Sequence, residues 1–293
     1  MAFDSKFDKF VEPARPRSQI WRLILGVFLM IIVYVVVVIG LAAAMIPFLG
    51  FENLDWLISQ DAFDDSWALL WLLSTFLGMF LAPIVAIKLL HRRSIGSLFG
   101  RSAVFLRDFV ITAAVYLAIG SPLTIGWIIF GDVSPNLNWL VWLSFLPLTL
   151  LALGLQTLSE ELVFRGYLLQ QLGARFRSPF FWMVLPSLVF GALHYDPSAG
   201  GTAALGVVGI TAVFGLVAAD LTARTGSLGA AWGFHLANNF IALALISIEG
   251  TLTGLSLFKS AFSIADGLPL AVLIGDICLI LFGWFVVRRI LLR

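Results

Sequence analysis

Two adjacent carboxylates and one guanidinium stand together at the end of an apolar run, in Ser159-Glu160-Glu161-Leu162-Val163-Phe164-Arg165. Glu161 and Arg165 are four residues apart, which is the favourable spacing and orientation for an ion pair on a helix. Glu160 lies about one-third of a turn away, so it can face elsewhere, and the sequence supplies it with no local partner. The alternative interpretation is an ion pair that only caps the end of a membrane span.

Two histidines lie in other apolar runs of the chain. His194 ends the segment Phe190-Gly191-Ala192-Leu193-His194, and His235 precedes Asn239 by four residues, so that these two project from one helix face. Each also has a simpler interpretation. His194 can bond a carbonyl or water at a helix end, and His235 and Asn239 can form a polar contact between helices, worth about 1 kcal/mol.

Together, these six side chains carry the groups that water activation and oxyanion stabilisation require: carboxylates, imidazoles, an amide and a guanidinium. They also offer an oxygen and nitrogen ligand set for a divalent metal such as zinc. A carboxylate at the centre of a membrane span costs about 2.5–3.5 kcal/mol on insertion scales, so ionisable groups there are candidates for function.

The composition assigns the chain to the membrane class. Its 293 residues are 60% hydrophobic and only 12% charged, with a mean hydropathy of +1.02, whereas soluble domains average roughly 45–50% apolar and 25% charged residues. The net charge of +1 and the lack of a basic patch give no sign of a nucleic-acid partner. The single cysteine, Cys278, excludes an internal disulfide and a cysteine-based metal cluster.

The apolar runs predict an all-α polytopic protein with a tail at 1–19 and a single membrane domain at 20–293. Positive charge in the tail and after every second span places both termini in the cytoplasm. On the seventh span a stripe of Gly229, Gly233 and Ala237 faces away from His235 and predicts close approach of another helix. The eight predicted transmembrane helices are 20–49, 67–90, 109–130, 139–158, 180–193, 202–221, 228–248 and 268–287.

One expectation concerns depth in the membrane. A straight fifth span would hold His194 deeper than His235 lies in the seventh, since each helical residue adds about 1.5 Å. A single site therefore needs a tilted or displaced fifth span, or a Glu160-Glu161 segment drawn into the bundle. Asp276, midway along the eighth span, is expected to face the bundle and to bond a neighbour.

The motifs resemble the CAAX protease and bacteriocin-processing family of intramembrane proteases, also called the Abi family. Its pattern is Glu-Glu-x-x-x-Arg, then Phe-x-x-x-His, then His-x-x-x-Asn on successive core helices. Here the three motifs occur in that order within a core of about 140–245. The residues that match are Glu160, Glu161, Arg165, Phe190, His194, His235 and Asn239.

The resemblance implies an intramembrane endopeptidase. Glu160 is then the general base, and Glu161 is held by Arg165. His194 orients the water or ligates a metal, while His235 and Asn239 complete the site, with Asn239 as a donor to the oxyanion. The chemistry stays open between a zinc site formed by Glu160, His194 and His235 and a metal-free glutamate mechanism.

The implied substrate is a membrane-associated protein or peptide, and the implied cavity opens to the cytoplasm of a bacterial plasma membrane. Nothing in the sequence identifies a prenyl pocket or an oligomeric state, and the expected partners beyond the substrate are membrane lipids. Two other functions remain open. One is a non-catalytic scaffold or bacteriocin-immunity-like protein, which needs only the Glu161–Arg165 pair, and the other is a proton-coupled transporter, which would use buried Glu and His as a relay.

Overall fold

The computed structural model describes residues 5–292, apart from the side chains at positions 58, 60, 61, 198 and 202. Residues 1–4 of the predicted tail and Arg293 lie outside the described residues. The protein is built mainly of helices, and many large apolar side chains point outward, as lipid-facing side chains do; Phe130, for example, is 88% exposed. The α-helices are α1 Ser5–Val11, α2 Ile20–Leu49, α3 Gln60–Phe63, α4 Ser66–Ser74, α5 Phe76–Ala86, α6 Gly96–Phe99, α7 Ser102–Phe130, α8 Trp139–Glu161, α9 Gln170–Arg175, α10 Leu185–Ala192, α11 Gly201–Thr225, α12 Gly229–Phe240 and α13 Leu270–Leu291.

Short segments of tighter or wider helix connect or extend these elements. Four are 3₁₀ segments: Glu12–Arg17, Phe51–Ile58, Pro197–Ala199 and Ile264–Asp266. Four are π-helical segments: Ile87–His91, Leu162–Leu169, Phe180–Val184 and Ile241–Leu245.

Six helical segments in the described part of the chain are long and apolar enough to cross a membrane. They agree with the first, second, third, fourth, sixth and eighth predicted spans. These segments are Ile20–Leu49, Ser66–His91, Ser102–Phe130, Trp139–Arg175, Ala203–Thr225 and Leu270–Leu291. The protein is therefore a multi-pass membrane protein, while the cytoplasmic position of its termini stays a prediction.

The prediction of eight spans is not confirmed. The fifth predicted span is a shorter apolar helix, Phe180–Ala192, and at about 1.5 Å per residue it falls short of a hydrocarbon core of roughly 30 Å. The seventh predicted span consists of α12 and the π-helical segment Ile241–Leu245, and it is cut short by a β-strand that begins at Ile246. The first of these short elements ends two residues before His194, and the second contains His235.

A small sheet departs from the all-α prediction. Its strands are β1 Val133–Pro135, β2 Ile246–Glu249 and β3 Phe258–Ser263, in the order β1-β3-β2. β1 pairs with β3 in antiparallel fashion, with Val133 opposite Ser260, while β2 runs parallel to β3, with Ile246 opposite Phe258. Because β2 follows α12 within a few residues, the sheet fixes the end of the element that carries His235.

The predicted small-residue stripe on α12 is confirmed as a packing surface. α12 packs along α7 so closely that a Cβ atom at Gly229 would lie 2.0 Å from the Phe105 carbonyl oxygen, and one at Gly233 would lie 2.3 Å from that of Phe109. No side chain fits at those distances. Because this face of α12 packs on α7, His235 on the opposite face points toward α8.

Candidate active site

The Glu160-Glu161 motif lies inside a long helix rather than at its end. α8, the π-helical segment Leu162–Leu169 and α9 form one continuous helix from Trp139 to Arg175. The prediction that the fourth span ends at Leu158 is therefore wrong. The π-helical segment begins directly after Glu161, and single π turns inside α-helices are frequent at functional sites.

Glu161 is the anchor of a buried ionic cluster. Its Oε1 atom accepts a hydrogen bond of 2.9 Å from Arg165 Nη1, which confirms the predicted pair, and lies 2.8 Å from His235 Nδ1. A second guanidinium nitrogen of Arg165 donates to the Gly215 carbonyl oxygen at 3.1 Å. Because a carboxylate can only accept, Nδ1 of His235 is the protonated nitrogen, and the ring is held in one orientation.

Arg165 is enclosed by apolar and aromatic surroundings. It is only 2% exposed, and its guanidinium carbon lies 4.9 Å from the centre of the Phe190 ring. The side chains of Glu161 and Arg165 are shielded from water, so removal of either charge would leave the other uncompensated. This cluster therefore forms a rigid support behind the cavity described below.

Glu160 has one satisfied and one unsatisfied oxygen. Its Oε1 accepts a 2.7 Å hydrogen bond from Gln156 Nε2, one turn earlier, so the prediction that it lacks a local partner is wrong. Its Oε2 is buried, has no hydrogen-bond partner among the described residues, and lies 3.4 Å from His235 Nε2. With Nδ1 protonated, a neutral His235 presents an Nε2 lone pair, so two acceptors lie beside each other, and a donor that bridges them from the cavity would satisfy both.

His194 follows the end of α10 and approaches the same region. Its Nδ1 lies 2.8 Å from the Phe190 carbonyl oxygen, as the simpler interpretation of this residue predicts, and this contact leaves Nε2 free to accept. The Phe190 ring lies against both histidine rings, at 4.8 Å from His194 and 6.0 Å from His235 between centroids. Both histidine rings therefore contact one phenylalanine ring. The difference in membrane depth that the sequence suggested for His194 and His235 does not keep them apart.

Asn239 belongs to a chain of hydrogen bonds that ends on Glu160. Tyr116 Oη donates to Asn238 at 2.8 Å, Asn238 donates to Asn239 at 3.3 Å, and Asn239 Nδ2 donates to Gln156 Oε1 at 2.9 Å. Gln156 then donates to the carboxylate. All four donors point the same way, so each bond polarises the next toward the negative charge.

Gln156, Asn238 and Tyr116 are site residues that the sequence interpretation missed. A signal existed for Gln156, which is an amide within an apolar run and precedes Glu160 by four residues. Nothing in the sequence joins Tyr116 to the motifs, because it lies 122 positions before Asn238.

A cavity of about 600 Å³ joins the predicted residues. Glu160, His194, His235 and Asn239 line it, and Gln156 and Phe190 also contribute to its wall. Glu161 and Arg165 do not line the cavity, since they lie behind His235. The six predicted site residues therefore fall into two groups, four at the cavity and two supporting them.

The side chains do not form a ready metal site. His235 donates its Nδ1–H to the Glu161 carboxylate, and a metal-bound histidine usually makes the same kind of bond with the ring nitrogen that does not bind the metal. However, among the side chains that the structure describes, no three or more His, Cys, Asp or Glu are grouped so that they could hold a metal ion. The ligand set Glu160, His194 and His235 stays a prediction.

Comparison with known proteins places the same residues in one family. The model of the family described as "Type II CAAX prenyl endopeptidase Rce1-like" matches residues 140–241, a range that contains all six predicted site residues. A protein of Bacillus subtilis (strain 168), "Uncharacterized protein YyaK", is 26% identical over 281 residues, which cover 90% of this chain and 89% of the relative. The chain thus matches an Rce1-like family model over residues 140–241, which confirms the resemblance that the motifs predicted.

Proposed function

We propose that this protein is an intramembrane endopeptidase that hydrolyses a peptide bond in a membrane-associated protein or peptide. The observation that carries the proposal is the pair of facing acceptors, Glu160 Oε2 and His235 Nε2, 3.4 Å apart at the wall of a 600 Å³ cavity. A water molecule that donates one hydrogen to each would be oriented and polarised for attack. The match to type II CAAX prenyl endopeptidases supports a hydrolase of this kind.

Glu160 acts as the general base in this mechanism. Its Oε2 takes a proton from the water as the water oxygen attacks the carbonyl carbon of the peptide bond. The tetrahedral intermediate then collapses, the carbon–nitrogen bond breaks, and the same proton passes to the leaving amine. Gln156 holds Oε1, so that Oε2 is the oxygen available to the water.

Asn239 is the donor to the developing oxyanion. One hydrogen of its amide is committed to Gln156, and the other is free to point into the cavity. His194 lines the same cavity with Nε2 unengaged, so it can orient the water or the substrate carbonyl. Glu161 and Arg165 are positioning residues, because they act through the ring of His235.

A scaffold or immunity-like protein accounts less well for the arrangement. Such a protein needs the buried Glu161–Arg165–His235 cluster for its fold. It gains nothing from a second buried carboxylate with an unpaired oxygen beside a cavity, and a group of that kind is expensive to keep. The bacterial relative supports a bacterial plasma membrane as the location, with the cavity facing the cytoplasm.

The test is the conservative variant Glu160→Gln, which keeps the shape of the side chain but cannot take a proton. Membranes from cells that express wild-type protein or the variant are compared by quantitative mass spectrometry of new peptide termini. The termini produced by the wild type should fall by roughly 10²–10⁴-fold in rate, the usual contribution of a general base. The matched control is Glu52→Gln, which changes an exposed carboxylate in the 3₁₀ segment after α2. Equal cleavage by wild type and Glu160→Gln would rule out the proposed role.

A further inference from the structure

Asp276 on α13 lines the same cavity as Glu160. More than a third of its surface is accessible, and no described residue forms a hydrogen bond or an ion pair with it. The expectation that it bonds a neighbouring helix is therefore wrong. An ionised carboxylate without a partner in a membrane-spanning helix is expensive, so a function is the default hypothesis for it.

The charges around the cavity have one sign. Among the described residues that line it, Glu160 and Asp276 are carboxylates, and none is lysine or arginine. The guanidinium of Arg165 is committed to Glu161 and to the Gly215 carbonyl oxygen, away from the cavity wall. A substrate that enters the cavity thus meets two acidic groups and no fixed cation.

We propose that Asp276 binds a cationic side chain of the substrate, lysine or arginine, close to the bond that is cleaved. The inference rests on the proposed function and names its substrate class: an apolar membrane segment that contains a basic residue. A cavity of about 600 Å³ is on the order of 10 Å across and holds about three extended residues, each of about 3.3–3.6 Å. The basic residue therefore lies within about three positions of the scissile bond.

The first experiment measures charge preference in cleavage. Purified wild-type protein in vesicles is given a series of apolar peptides that share one sequence except at a single position, which is Lys, Gln or Glu. The series is repeated with the variable position at different places along the peptide. At the best position, kcat/KM for Lys should exceed that for Gln by about 10-fold or more. Asp276→Asn should bring the ratio close to one, and Asp276→Lys should invert it in favour of Glu. Asp266→Asn, an exposed carboxylate outside the cavity, should keep the wild-type ratio.

The second experiment separates this inference from the proposed function. Binding of the same labelled peptides is measured by fluorescence anisotropy in the Glu160→Gln background, with and without Asp276→Asn, after thermal unfolding shows that each variant is folded. Lysine-dependent binding that Asp276→Asn removes would support the inference even if no peptide is cleaved, and the absence of cleavage would count against the proposed function alone. The role of Asp276 would be overturned if binding and cleavage did not depend on peptide charge. It would also be overturned if Asp266→Asn reduced the preference for lysine as much as Asp276→Asn does.

Discussion

Glu160 and Glu161 are adjacent and chemically identical, yet they belong to two regions of different character. Glu161 is fully buried behind the cavity, and one of its oxygens receives both Arg165 and His235. Glu160 is at the cavity wall, held by the neutral amide of Gln156, with its other oxygen directed to His235 Nε2. The difference is that charged partners hold Glu161 within the buried cluster, while a neutral amide holds Glu160 at the cavity wall.

His235 joins the two regions. One ring nitrogen lies 2.8 Å from Glu161, and the other lies 3.4 Å from Glu160. The buried ion pair thereby sets the tautomer and the angle of the ring that faces the cavity. The comparison predicts that substitutions behind the cavity affect folding, and that substitutions at its wall affect catalysis.

The largest expected effect on stability is that of Arg165→Met. The change leaves Glu161 buried without its cation and should reduce the free energy of unfolding by about 3–5 kcal/mol. Unfolding in detergent, followed by circular dichroism, measures the loss. Glu160→Gln is the contrasting variant and should unfold like the wild type.

A second variant makes this comparison sharper. In Glu161→Gln with Arg165→Met, neither charge remains, and the glutamine oxygen can still accept from His235. The double variant should therefore be more stable than Arg165→Met alone. If Arg165→Met were as stable as the wild type, the cluster would not be the support described above.

The next largest effect on stability is expected from a substitution that disturbs the packing of α12 on α7. Gly233→Ala would place a Cβ atom 2.3 Å from the Phe109 carbonyl oxygen, so the helices must separate. Overpacking of this kind costs roughly 1–3 kcal/mol, and movement of α12 would also lower activity by displacing His235. Gly126→Ala in α7 is the control, since an added Cβ there meets nothing within 4 Å. Equal melting temperatures for the two variants would contradict the close-packed interface.

A smaller effect is expected at Gln156. Gln156→Leu removes the donor to Glu160 Oε1 and the acceptor for Asn239. Because a hydrogen bond to a charged group contributes about 1.5–3 kcal/mol, kcat should fall at least about tenfold, with KM little changed. Steady-state kinetics separates the two constants. An increase in KM with kcat intact would instead make Gln156 a substrate-binding residue.

The smallest effect is expected from metal removal. Since no described donor set is grouped for a metal, activity should survive incubation with a chelator, and metal analysis of the purified protein should find much less than one equivalent of zinc. Activity that is lost on chelation and restored by zinc would instead support the ligand set Glu160, His194 and His235.

Features that depend on local periodicity could be predicted from the sequence. The spacing of four residues predicted the Glu161–Arg165 bond and the glycine stripe of α12, since both follow from one helix turn. Long apolar runs predicted six spans that the structure contains. The family motifs, taken together, predicted the four polar residues that line one cavity.

The groups that meet across helices could not be predicted, because their contacts depend on how distant helices pack. His235 contacts Glu160 and Glu161 from 74 or more positions away, and the hydrogen-bond chain from Tyr116 crosses between α7, α12 and α8. Asp276 faces the cavity because of where α13 packs, which no local pattern encodes. Apolar length also predicted two spans that are not confirmed, because hydropathy records side-chain composition and not where a helix ends, as α12 does before β2. Helical periodicity fixes which residues share a face, but the packing of distant helices fixes what that face meets.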